Sequence, residues 1–135
     1  MTYCREEKLK DKVALITGAS KGVGRAIAEA LSAYHMKIGL LARSEGSLRE
    51  VAEKVNSSGS QAFILKVDLK DQKSLMEAVL KFKGEAGIPH FLINNAGIGM
   101  RGFWRDIPLE SELNTIAINY IAPVVLMRLL LPDML

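Results

Sequence analysis

Cysteine is nearly missing from this sequence: Cys4 stands alone, so no disulfide can form within the chain, and the residue usage suits a reducing, cytoplasmic setting. Histidine is almost as scarce. His35 and His90, taken with Cys4, lack any metal-ligand spacing, so no metal site is expected. Aromatic residues make up only 6% of the chain, and the basic cluster Arg5, Lys8, Lys10 and Lys12 is interleaved with Glu6, Glu7 and Asp11. Nucleic-acid binding would want a basic stripe with aromatics among its cations, and no such stripe is present. Long apolar runs are also lacking: the longest, Ile121 to Leu131, is too short to span a bilayer and carries Arg128, so no membrane segment is expected. The start, residues 1–11, is charged and has no apolar signal core, and reads as a solvated leader.

What is present is an ordinary globular composition, 49% hydrophobic and 24% charged, in 135 residues, a length that suits one domain. From Val13 onward short apolar runs alternate with helical periodicity, the pattern of repeated strand-helix-strand units and hence of an α/β fold with a parallel sheet. The runs Val13 to Thr17, Lys37 to Ala42, Ala62 to Val67 and Phe91 to Ile93 are the expected strands. Between them, Val23, Ile27, Leu31 and Tyr34 mark one helix stripe, and Leu48, Val51, Ala52 and Val55 mark a second. A third helix should begin at the cap Asp71, run through Leu75, Val79 and Phe82, and stop at Gly84 and Gly87.

From Pro108 the chain reads as one long helix interrupted near Asn119 and Pro123. Pro123 lacks the amide that the Asn119 carbonyl would accept, so a kink is expected there. Between Val124 and Leu131 only Arg128 is polar, which predicts burial on both sides.

Directly after the first strand comes Thr17-Gly18-Ala19-Ser20-Lys21-Gly22-Val23-Gly24, and then a helix. Gly18 lets the chain turn out of the strand, Gly22 lets backbone approach a pyrophosphate, and Gly24 lets the helix pack closely on the sheet. The helix amides and dipole would then receive the phosphates. Glycines serve tight packing equally well; the position between the first strand and first helix is what points to a dinucleotide.

Three segments together carry a resemblance to a known family: Thr17-Gly-x-x-x-Gly-x-Gly24, the pair Asp68-Leu69 after the third strand, and Asn94-Asn95-Ala96-Gly97 after the fourth. Residues 12–135 resemble the amino-terminal part of the short-chain dehydrogenase/reductases, in their common single-domain subgroup. The resemblance implies a Rossmann-type doubly wound sheet of strand order 3-2-1-4, incomplete at its carboxy-terminal end. It implies that Gly18, Ser20, Lys21, Gly22, Val23 and Gly24 hold the cofactor phosphates and that Asp68 and Leu69 contact adenine, although Asp68 reads equally as a turn cap. Asn95, Ala96 and Gly97 would line the nicotinamide ribose, with Asn94 bracing the central strands.

An NAD-selective site usually has an acid about 20 positions beyond the glycine loop, where this chain has Ala42. Arg43 follows it, and a guanidinium can grip the 2′-phosphate of NADP; Lys21 adds a second cation. NADP(H) is therefore the expected cofactor.

The resemblance also implies hydride transfer between the nicotinamide and a small-molecule carbonyl or alcohol, using a Tyr, a Lys, a Ser and an Asn. Only the Asn is here, as Asn119. Residues four beyond Tyr3, Tyr34 and Tyr120 are Glu7, Ile38 and Val124, so no Tyr-x-x-x-Lys pair exists, and the Ser, Tyr and Lys are expected beyond Leu135. The substrate is not readable. A non-catalytic dinucleotide-binding or regulatory module is the competing class. Met100, Phe103 and Trp104 read as packing residues or, alternatively, as one apolar wall of the substrate pocket, and His35 and His90, standing where the family usually has Gly and Asp, are expected to be structural. Homo-oligomers through the long helix are a further implication of the resemblance.

Overall fold

The computed structural model describes residues 7–135. Expectations for Cys4 and the first six residues of the leader lie outside them. The described part of the leader is anchored: Leu9 packs on the core, and the Asp11 amide donates to the His35 carbonyl at 2.9 Å.

Four strands, β1 (Val13–Thr17), β2 (Lys37–Ala42), β3 (Gln61–Lys66) and β4 (Phe91–Ile93), form one parallel sheet in the order β3-β2-β1-β4. Ile16 sits opposite Leu40 of β2 and Ile93 of β4, which brings the carboxyl ends of these strands to one rim. Every residue of β1 is buried, as its unbroken apolar run requires. The strands are joined by α1 (Gly22–Leu31), α2 (Glu45–Ser57) and α3 (Gln72–Ala86), and β4 is followed by α4 (Leu109–Ile116) and α5 (Ala122–Met134).

Alternation along β1 divides the core in two. Ala14 and Ile16 join Ile38 and Leu40 under Ala28 of α1 and Leu48, Val51 and Val55 of α2. Val13 and Leu15 face the other way, toward Leu75, Val79 and Phe82 of α3 and Ala122, Leu126 and Leu130 of α5. Gly39 has no side chain because Phe82 fills its place: a Cβ there would sit 2.8 Å from both the Phe82 ring and Leu15. On the α1–α2 side Arg25 reaches Glu29 at 2.8 Å and Glu50 at 3.5 Å, and Lys54 reaches Glu29 at 3.4 Å. The Arg25 hydrogen bond, helped by Lys54, holds the Glu29 carboxyl below its ordinary range.

Asp71 caps α3 by accepting the Ser74 amide at 3.1 Å, and the helix runs through Gly84 to end at Gly87 in a left-handed turn of φ 99°. His35 is likewise left-handed, at φ 53°, and its Nδ1 lies 3.1 Å from the Gly59 carbonyl. His90 Nδ1 accepts the Val13 amide at 3.1 Å, extending the β1–β4 ladder by one side-chain contact.

Three expectations are corrected. The stripe of α1 is Gly24, Ile27, Ala28 and Leu31; Val23 is 68% exposed and lines the groove at the carboxyl rim instead of the core. The long helix does not break at Pro123. It stays helical from Leu109 to Met134, and residues Ala117–Ile121, just before Pro123, widen into a π-turn in which the Ala122 N–H donates to the Ala117 carbonyl. Nor is it buried on both sides among the described residues: Ile118, Ala122, Leu126 and Leu130 enter the core, while Leu113, Ile116, Tyr120 and Leu131 are exposed. As one helix it is long and apolar enough to cross a membrane by length and composition, yet its core stripe packs it on the sheet.

Candidate functional site

At the carboxyl rim of the sheet, the turns after β1, β2, β3 and β4 enclose a groove of about 780 Å³. Thr17 ties the floor together. Its buried hydroxyl donates to the Ile93 carbonyl at 3.4 Å and accepts the amides of Asn95 and Ala96 at 3.1 and 3.0 Å. The Asn95 amide group donates back to the carbonyls of Thr17 and Gly18, at 3.0 and 3.3 Å. Asn95 is therefore the residue that braces β1 against β4. The Asn94 side chain is exposed and makes no hydrogen bond among the described residues, so within them the bracing expected of Asn94 falls to Asn95.

The glycine loop closes over this brace. Gly18 takes φ 66°, and a Cβ there would lie 2.9 Å from the Asn95 amide nitrogen and 3.0 Å from Ala96 Cα. Gly22, at φ 56°, has open space around it, so its backbone angle is what calls for glycine. Gly24 does not line the groove. It lies beneath the loop, where a Cβ would come within 2.3 Å of the Gly18 carbonyl oxygen.

Gly18, Ser20, Lys21, Gly22 and Val23 form one wall, and no side chain caps α1, so its first amides open on the groove. Opposite, Asp68, Leu69 and Val67 follow β3, and Asn95, Ala96 and Gly97 follow β4. Asp68 also performs the turn-cap role, its Oδ1 accepting the Lys70 amide at 2.9 Å. The structure thus brings together all the expected groove residues except Gly24 and Asn119.

Asn119 stands behind this wall. Its Oδ1 accepts the Ile98 amide at 2.9 Å and its Nδ2 donates to the Ile98 carbonyl at 2.8 Å, pinning the chain just after Gly97. The π-turn places Asn119 for this contact from the same helix whose Ile118 lines the groove. Beyond Ile98, Phe103 and Trp104 are 73% and 78% exposed and Met100 is also exposed, so they are not the packing residues expected. No described element covers their loop; Arg105 lies 5.5 Å over the Phe103 ring.

Lys21 and Arg43 both line the groove, and among the described residues neither forms an ion pair. Ala42, in the place of the usual acid, lines it beside them. Ser44 and Ser47 were not picked out from the sequence. Ser44 caps α2, accepting the Ser47 amide at 3.5 Å, and a capping serine gives no sign of facing a ligand as well. Uncapped helix amides, a backbone cradle kept free of Cβ atoms and two unpaired cations suit an anionic dinucleotide.

Known proteins share this sequence pattern and fold. The sequence profile described as short chain dehydrogenase matches residues 12–135. A fatty acyl-CoA reductase of Acinetobacter baylyi is 37% identical over 134 residues, covering 96% of this chain and 44% of its own. A metagenomic short-chain oxidoreductase solved with NADP superposes with a TM-score of 0.89 at 31% identity, over 93% of this chain and 57% of that one. The L-sorbose reductase of Gluconobacter frateurii, solved with NADPH and L-sorbose, gives 0.87 at 31% identity, over 93% and 48%. The chain spans less than half the length of the first curated relatives it matches, 40% to 44%.

Proposed function

This chain belongs to the short-chain dehydrogenase family, and from that membership we propose that its groove binds NADP(H) in an oxidoreductase that moves hydride between the nicotinamide and a small-molecule carbonyl or alcohol. The observation that carries the cofactor choice is the pair Lys21 and Arg43, unpaired among the described residues and lining the groove beside Ala42. A 2′-phosphate supplies the anion that Arg43 lacks, whereas the two ribose hydroxyls of NAD would leave its guanidinium unmatched. Similar proteins solved with NADP and NADPH support the same reading.

In this reading the α1 amides and the loop from Ser20 to Val23 hold the pyrophosphate, Asp68 and Leu69 border the adenine, and Asn95 to Gly97 border the nicotinamide ribose. Asn119 positions that last segment through Ile98. The bound nicotinamide supplies or accepts the hydride. The Ser and the Tyr-x-x-x-Lys pair that handle the substrate proton in this family are absent from these 135 residues, and we assign them to sequence following Leu135 in the intact protein.

The test is binding of NADPH and NADH to the intact protein with and without Arg43→Ala. One charge-assisted contact is worth about 1.5 to 3 kcal/mol, so NADPH affinity should fall roughly ten- to a hundredfold while NADH affinity holds. Equal weakening of both would show that Arg43 does not read the 2′-phosphate.

A further inference from the structure

Glu45 is the acid that stands nearest Arg43 in the chain, two residues on, as the first residue of α2. A carboxylate there is a natural partner for a guanidinium and would occupy the same fork that a phosphate needs. It also suits the amino-terminal turn of a helix, so α2 gains by keeping it. The structure turns it elsewhere. Glu45 Oε1 lies 2.8 Å from Arg49 one turn along α2, and Oε2 lies 3.6 Å from Lys66 Nζ at the end of β3. Neither Glu45, Arg49 nor Lys66 lines the groove, while Arg43 and Ser44 do.

We propose that Arg49 and Lys66 are specificity-positioning residues: by holding the Glu45 carboxylate outside the groove they leave Arg43 free for the 2′-phosphate and keep a like charge away from it. The inference rests on the reading of Arg43 as the 2′-phosphate ligand and adds what protects it. The hydrogen bond from Arg49 and the two positive charges hold the Glu45 carboxyl below its ordinary range, which favours its anionic form. An anion so placed must be directed somewhere, and the clip supplies the direction. Released, it would compete with the phosphate for Arg43 or repel it directly, and both effects touch NADPH alone.

The contacts are exposed, with side chains 68%, 44% and 61% accessible for Arg49, Glu45 and Lys66, so solvent screens them. The expected change is correspondingly modest. In the intact protein at low ionic strength, Arg49→Ala with Lys66→Ala should raise the Kd for NADPH about two- to fivefold and leave that for NADH unchanged. Adding Glu45→Gln to the same protein should restore NADPH binding, because the released group then carries no charge.

Fluorescence titration with each nucleotide reads all three states, and a melting curve for each variant confirms that it is folded. No change in NADPH affinity, equal loss for NADH, or a loss that Glu45→Gln does not restore would overturn the inference. Arg43→Ala in the same series separates the two claims. If it abolishes the NADPH preference while the Arg49 and Lys66 variant keeps it, only the clip falls; if it leaves the preference intact, the 2′-phosphate reading falls and takes the clip with it.

Discussion

Replacing Gly24 with alanine sets two effects of opposite sign against each other. Alanine in a helix is worth about 1 kcal/mol over glycine, and Gly24 lies within α1, so propensity alone predicts a more stable protein. Packing predicts the reverse. The new Cβ would lie 2.3 Å from the Gly18 carbonyl oxygen and 2.5 Å from the Asn95 amide nitrogen. The carbonyl must retreat by roughly 1 Å to reach ordinary contact. Overpacking of this kind costs about 1 to 3 kcal/mol, and moving Asn95 endangers its bonds to Thr17 and Gly18, about 0.5 to 1.5 kcal/mol each. Set against the propensity gain, the net expectation is a loss of about 1 to 5 kcal/mol. Because the displaced loop would cradle the pyrophosphate, NADPH and NADH binding should weaken together, unlike the selective loss expected of Arg43→Ala. Urea unfolding of the intact protein measures the first effect and nucleotide titration the second. Gly84→Ala is the control: Gly84 lies inside α3 with nothing within 4 Å of its would-be Cβ, so it should show the propensity gain alone. A Gly24→Ala protein as stable as the parent, beside a stabilised Gly84→Ala, would refute the close-packing argument.

Two further outcomes follow from the brace and the ion pairs. Asn119→Ala should speed hydrogen exchange at the Ile98 amide, whereas Asn119→Asp, which keeps an acceptor for that amide, should retain most of the protection; equal exchange in both variants would remove Asn119 from its positioning role. Glu29 has its carboxyl pulled below the ordinary range first by Arg25 and then by Lys54. The stability it adds is therefore present at neutral pH and lost as pH falls through its lowered folded-state value. Glu29→Gln should flatten the acid limb of the melting temperature against pH, and an unchanged limb would mean that the pair contributes nothing measurable.

The sheet was legible because its strands are apolar runs bounded by turns, and the unbroken run of β1 is what burial on both faces requires. Strand order followed from the family resemblance and the element sequence. Less visible was anything that depends on where an element ends relative to its neighbours. Val23 fits the helical stripe of α1, but periodicity carries no information that its side chain lines the groove instead of the core. Asn94 and Asn95 are the same residue type side by side, and only the way the chain leaves β4 decides which of them reaches Thr17. Pro123 announced a missing amide without announcing whether the helix would kink or widen, and widening kept Ile118 and Ala122 on one core face. The long helix reads as apolar all round, yet a single described sheet face can cover only one of its sides.

A 2′-phosphate subsite at Lys21 and Arg43 is tested most directly by isolating that phosphate from the rest of the cofactor. Calorimetric titration of the intact protein with 2′,5′-ADP and with 5′-AMP compares two ligands that differ by the 2′-phosphate alone. With two cations unpaired among the described residues of the groove, 2′,5′-ADP should bind at least about tenfold more tightly, and the difference should shrink as salt is raised. Equal affinities, or tighter binding of 5′-AMP, would contradict the assignment of this groove to NADP(H).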